Sequence, residues 1–235
     1  MSGLYGAPLE ADLFLIATPD RAIPGVARQL ARLGGKFLQG KIALHTSGAL
    51  TSAALRPLAR CGARVGSMHP LQTFSRGVGT ALEGVVFGVE GDRVARRQAA
   101  RIVRDLGGVP VEIPTRPKAL YHAAATLACG RLLALVDGAA RLFVRAGMKR
   151  GQARRAILPL VRQTLENFEG SGGRAAWTGP LERGDLSTLR LHAHALSRVE
   201  PEMREAYRAL GELALRLYRP RERELARVFR RLFRG

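Results

Sequence analysis

Ala11-Asp12-Leu13-Phe14-Leu15-Ile16-Ala17-Thr18-Pro19-Asp20 is the stretch that decides the fold. Five apolar residues run without a break from Leu13 to Ala17, as expected of a parallel strand buried on both faces. Thr18-Pro19-Asp20 then turns the chain, with a carboxylate placed to cap a following helix. Outward from there, residues 24–33 carry Val26, Leu30 and Leu33 at helical spacing. Further strands are expected at 42–45, 64–68, 85–89 and 109–113. Helices are expected from Ser52 to Gly62 and over 94–106, the latter closed by Gly107-Gly108. Strands separated by helices of this length predict a mostly parallel α/β sheet.

Past Pro114 the strand signal stops. Residues 117–147 read as one long helix, apolar on most faces through Leu120, Ala123, Leu127, Leu132, Leu135, Val136, Ala139, Leu142 and Phe143. A helix that apolar belongs in a bundle or at a subunit interface. Helices follow at 152–168, 187–196 and 201–218, with Gly170-Ser171-Gly172-Gly173 read as a loop. The expected class is α/β followed by all-α, divided into 1–114, 115–219 and a basic tail helix at 220–235.

The bulk numbers exclude several classes. No apolar run reaches about 18 uncharged residues, so no transmembrane helix is expected. The opening Met1-Ser2-Gly3-Leu4 lacks the basic-then-apolar order of a signal peptide. Cys61 and Cys129 stand alone, with no metal spacing, which fits a reducing cytoplasm and no metal site. The net charge of +19 is carried almost entirely by arginine, lysine occurring only at positions 36, 41, 118 and 149. The arginines are dispersed, with few aromatics among them for base stacking. No specific nucleic-acid partner is expected.

Chemistry gathers at strand ends and at one helix start. His45-Thr46-Ser47-Gly48 ends the second strand and His69-Pro70 the third, so two histidines are expected to converge on one crevice. Lys118, Tyr121 and His122 share one side of the first turns of the long helix, an acid/base and anion-holding set opposed by the bland reading of a solvated helix start. Thr178-Gly179-Pro180 and Arg183-Gly184-Asp185 form a turn, with Asp185 or Ser187 able to cap the helix carrying His192. Gly91-Asp92 reads as a turn and cap only.

Taken together, Ala11–Asp20, His45-Thr46-Ser47-Gly48-Ala49-Leu50, His69-Pro70-Leu71-Gln72-Thr73-Phe74, Lys118 with Tyr121-His122-Ala123-Ala124, and the 178–185 turn with His192 resemble Rossmann-like proteins. Their helical C-terminal half is a domain of unknown function, and they are distantly related to pyrroline-5-carboxylate reductase, prephenate dehydrogenase and 3-hydroxyacid dehydrogenases. The resemblance implies a Rossmann-type parallel sheet, binding of NADP or NAD, and a helical domain that dimerises. It implies cofactor contacts at Thr18, Pro19, Ser47 and Gly48, catalytic roles for Lys118, His122 and His69, and substrate contacts at Tyr121 and His192. The substrate would be a small oxo-, imino- or hydroxy-acid.

One departure is large. Such a sheet opens with a strand, a Gly-x-Gly-x-x-Gly turn and a helix that hold the pyrophosphate. Only ten residues precede Ala11, and they contain no such turn. The expectation is therefore an incomplete sheet, truncated at its start or decayed, that binds NAD(P) weakly or not at all and self-associates through residues 11–20. The alternative function is a non-catalytic dimeric scaffold. In the tail, Leu225, Val228, Phe229, Leu232 and Phe233 form an apolar stripe among Arg223, Arg227, Arg230, Arg231 and Arg234. Docking of that stripe on the protein itself is favoured over an anionic membrane surface.

Overall fold

A computed structural model describes residues 9–75, 77, 79–218 and 223–233. The Met1–Leu4 opening, and Pro220 and Arg234 of the tail, lie outside them. The chain divides into two units, Met1–Gly130 and Arg131–Gly235.

The first unit is built on a five-stranded sheet in sequential order. β1 (Leu13–Ile16), β2 (Ile42–His45) and β3 (Arg64–Pro70) are parallel; β4 (Val86–Gly91) runs antiparallel to β3, and β5 (Val109–Glu112) is parallel to β4. The sheet is Rossmann-like and mostly parallel, as the spacing of apolar runs predicts. The reversal at β4 follows from its connection, since residues 71–85 form no helix and a parallel return requires a crossover. β1 has one strand neighbour among the described residues.

Helices α1 (Ile23–Gly34), α2 (Arg56–Arg60) and α3 (Arg93–Asp105) cover the sheet. Ile23, Ala27 and Leu30 of α1 pack with Ile16, Ala43, Leu55 and Leu58 in one core. Ala95, Ala99 and Val103 of α3 pack with Leu44, Met68, Phe87 and Val89 in a second. Asp92 does cap α3, its Oδ1 accepting from Val94 N and Ala95 N at 2.9 Å each. α4 (Lys118–Thr126) also belongs to this unit. The unit boundary therefore falls later than the change in sequence pattern at Pro114, because Lys118 and Tyr121 are held to strand residues.

The expected long helix is helical throughout, but a π turn at Leu127–Arg131 separates α4 from α5 (Leu132–Arg145). It is not buried within the chain: Leu120 is 72% exposed and Leu133 70%, and Gly138 is the one buried residue of α5. The second unit continues with α6 (Arg150–Ala176), α7 (Pro180–Arg183), α8 (Leu186–Leu196), α9 (Pro201–Tyr218) and α10 (Arg223–Leu232). The Gly170–Gly173 stretch is not a loop but the late part of α6, broken only at Gly172, whose φ of 74° leaves the helical region. Asp185 caps α8 through Thr188 N.

The tail's apolar stripe faces its own protein. Leu225, Phe229 and Phe233 are buried with Leu189, Leu196 and Leu215. Gly211 on α9 makes room for the Phe229 ring, which a Cβ there would strike. Among the described residues no helix is long and apolar enough to cross a membrane.

Candidate functional site

The carboxyl end of β2, the second half of β3, the facing residues of antiparallel β4 and the start of α4 meet in one place. At its centre is Glu90, 1% exposed near the end of β4. Its Oε2 accepts from Ser52 N at 2.9 Å, Ser67 Oγ at 3.2 Å and Lys118 Nζ at 3.3 Å. Its Oε1 accepts from Ser52 Oγ at 2.8 Å and Thr115 Oγ1 at 3.2 Å. Lys118, also 1% exposed, donates in addition to Ser67 Oγ. Burial pushes the Glu90 carboxyl up, but the side-chain and backbone hydrogen bonds from Ser52 and the Lys118 ammonium outweigh it and hold the group below its ordinary range. Burial lowers Lys118, against the opposing pull of Glu90. Lys118 thus faces inward and joins α4 to the sheet, rather than standing free at a solvated helix start.

One turn further along α4, Tyr121 and His122 lie over the sheet end. Tyr121 Oη is 2.9 Å from His69 Nδ1. The His122 and His69 rings meet edge-on with centroids 5.6 Å apart. Two glycines make this possible. A Cβ on Gly48 would come within 2.5 Å of His122 Cδ2 and 2.7 Å of His69 Nε2, and a Cβ on Gly88 within 2.5 Å of Tyr121 Oη. Burial first, then His122 and Lys118, lowers His69 to about 4, so it is neutral near pH 7. Burial raises the Tyr121 phenol, which stays protonated.

His45 does not converge with His69. It is fully buried, its Nε2 3.1 Å from Thr51 O, while its Nδ1 accepts from Ser47 N at 3.2 Å. It pins the 46–51 loop as a neutral ring, its pKa lowered to about 4 chiefly by burial. Ser47 is equally occupied: its Oγ donates to Asp20 Oδ2 at 2.8 Å and accepts from Ala49 N and Leu50 N. Thr18 differs, because its Oγ1 is buried without a hydrogen-bond partner at the carboxyl end of β1; Pro19 beside it is exposed. His192 belongs to the other unit, its Nδ1 2.9 Å from Tyr207 Oη beside a cavity of about 600 Å³. Of the residues singled out from sequence, then, His69, Tyr121, His122 and Gly48 come together, with Lys118 behind them. Glu90, Ser67 and Gly88 were missed. Gly88 had a signal, since a lone glycine inside a strand marks a close approach; Glu90 had only its place at the end of an apolar run.

A buried unpartnered hydroxyl at Thr18 suits a polar ligand group at the strand ends. The helix starts do not suit a phosphate. The helix turn after β1 carries Asp20 in its first turn, and the Ser52 amide after β2 is taken by Glu90. Both place a negative charge where a pyrophosphate would need bare amides. Among the described residues there is no group of three His, Cys, Asp or Glu side chains able to hold a metal ion.

The fold and site define a Rossmann-like unit joined in sequence to a helical one, and the comparisons agree. Residues 5–70 match a Rossmann-like domain. Residues 85–214 match a domain of unknown function (DUF2520), and the chain belongs to that family. A protein from Thermotoga maritima has a similar structure, with a TM-score of 0.69 at 24% identity over 92% of this chain and 78% of that one. A candidate NADP oxidoreductase from Bacteroides fragilis gives 0.71 at 18% identity over 93% and 79%. The Plasmodium falciparum pyrroline carboxylate reductase, solved with NADP bound, gives 0.61 at 11% over 100% and 82%. At these identities the likeness is one of fold. No curated protein matches the chain.

Two outcomes follow from the buried groups. Lys118→Met leaves Glu90 ionised and unpaired and costs about 3–5 kcal/mol of stability; adding Glu90→Gln to it recovers more than half of that loss in denaturant unfolding. His45 is neutral when folded. Its contribution is therefore fully present above its unfolded pKa, near 6.5, and is lost as pH falls toward about 4. Thermal melts should show stability falling through that window by on the order of 3 kcal/mol from this group, and His45→Gln should flatten the slope.

Proposed function

We propose that this protein is an NAD(P)-dependent oxidoreductase acting on a small carbonyl, imine or hydroxy compound. The observation that supports it most is the Tyr121 Oη–His69 Nδ1 pair, 2.9 Å apart at the open end of the sheet. With its proton on Nδ1, His69 donates to Tyr121 Oη, and the phenolic O–H, which makes a long 3.5 Å bond to His69 O, is available to turn to a substrate oxygen or nitrogen. Tyr121 gives that proton up and regains one from His69 Nδ1 as His69 Nε2 takes up a proton from solvent, so the imidazole ends neutral. Thr18 and Pro19 are the residues to hold the nicotinamide end of the cofactor. When bound, the dinucleotide supplies or accepts the hydride. Lys118 was expected, with His122 and His69, to handle the proton and the substrate carboxylate; its pairing with Glu90 supports a role in positioning α4.

Tyr121→Phe should lower the rate of NADPH oxidation with a panel of small ketones and cyclic imines by about 10²–10⁴-fold, with the NADPH dissociation constant unchanged in calorimetry. A variant as active as the parent would sink the assignment. The second reading, a scaffold that no longer binds the cofactor, draws on the carboxylates at the helix starts; its mark is a calorimetric titration with no NADPH binding even at millimolar nucleotide.

We also propose a homodimer through the helical unit. Leu160, Leu165 and Phe168 on α6 and Leu133 on α5 are large apolar side chains left exposed by the chain's own packing. Sedimentation at micromolar concentration should give a dimer, and Leu160→Arg a monomer; a monomeric parent would refute this.

A further inference from the structure

Beside the three rings the first unit holds a cavity of about 560 Å³, within the range of small-molecule sites. Pro70, Leu71, Ala124, Ala125 and Ala128 give it an apolar surface, with the uncharged polar Gln72, Thr73 and Thr126 among them, and His69, Tyr121 and His122 form one side. Among the described residues, no Lys, Arg, Asp or Glu lines it. That is unusual in a chain with 38 Lys and Arg and 19 Asp and Glu among 235 residues. The lysine best placed by sequence to reach the cavity is 1% exposed and held on Glu90 and Ser67.

These walls discriminate between ligands. A carboxylate entering here would leave water without meeting a fixed cation, which is costly. A neutral ligand needs a single polar contact, and Tyr121 Oη provides it while the alanines and Leu71 cover the apolar body. We propose that the cavity takes an uncharged small ring or short chain bearing one carbonyl, imine or hydroxyl, and disfavours the same skeleton carrying a carboxylate. This rests on the reading of Tyr121 and His69 as the proton-handling pair, and it narrows the substrate to a neutral compound rather than an oxo-, imino- or hydroxy-acid.

A matched pair of unreactive lactams tests it without cofactor or turnover. 2-Pyrrolidinone and 5-oxoproline share a ring and differ by one carboxylate. Each is titrated into the full chain at pH 7 while the imidazole proton signals of His69 and His122 are followed by nuclear magnetic resonance. 2-Pyrrolidinone should shift both, and 5-oxoproline should bind about tenfold more weakly or worse. Ala125→Phe, which fills the cavity, should abolish the shift. Gln72→Arg, which adds a cation to the wall, should turn the preference toward 5-oxoproline. Equal or tighter binding of 5-oxoproline to the parent overturns the proposal, and so does an absence of shift with either lactam. Because no nucleotide is present, these results stand apart from NADPH oxidation, whose failure would count against the redox reading alone.

Discussion

A single carboxylate organises the first unit. Glu90 accepts hydrogen bonds from Ser52, Ser67, Thr115 and Lys118, which come from the turn after β2, from β3, from the segment before α4, and from α4 itself. A carboxylate so deeply buried survives only because nearly every lone-pair direction is answered. The consequence is geometric. With Lys118 fixed, the next turn of α4 has one azimuth against the sheet, and that azimuth brings Tyr121 to His69 and His122 to Gly48. Such a pair is weak support for net stability, since burying two charges costs about as much as their attraction returns. Its effect is on specificity: other registers of α4 would leave an ammonium or a carboxylate alone in a dry interior.

The same arrangement separates charge from reactivity. Fixed charges lie behind the site, paired with one another, while the groups facing the cavity are imidazoles and a phenol. Burial and the neighbouring Lys118 and His122 keep His69 neutral, so it can pass a proton to or from Tyr121 without a permanent charge at the site. An ammonium facing the ligand would bind anions more strongly and would also hold water at the proton-transfer pair.

The fold was legible in sequence wherever one periodicity prevailed. The apolar runs around Leu13, Ile42, Val65, Val89 and Val109 became strands, although burial on both faces does not extend to the outer ones, where Leu15 is 50% and Val109 47% exposed. Helix starts carrying Asp92 and Asp185 were equally plain. Legibility ended where long-range pairing decides. Nothing local in the strand ending at His45 says that its ring turns inward to the Thr51 carbonyl, whereas His69 turns toward Tyr121, 52 residues away. Lys118 reads in sequence as part of a crevice-facing acid/base set, and its buried pairing is not legible there because its partner lies 28 residues back, on another element. The long apolar helix reads as lying in a bundle or at a subunit interface, and apolar content alone does not decide between them; within the chain Leu120 and Leu133 are exposed.

The helix starts set a limit on how a dinucleotide could be held by these residues. A pyrophosphate gains most of its affinity from unpaired amides and the positive end of a helix dipole. After β1 and β2 those places carry Asp20 and Glu90, and Asp20 is tied further to Ser47; Asp92 fills the same role for α3 at the opposite end of the sheet, where β4 ends. Removing such a carboxylate would not create a phosphate site. Glu90 would leave Lys118 unpaired, and Asp92 also receives Val65 N at 2.7 Å, linking the start of α3 to β3. The anionic caps are thus part of what holds the sheet and its helices together. The polar atom still open at the strand ends is the Thr18 hydroxyl, which is uncharged and suited to an amide or a hydroxyl rather than a phosphate. Under the proposed reading these residues would meet the nicotinamide end alone, and the electrostatic share of dinucleotide affinity would have to come from groups other than these helix starts.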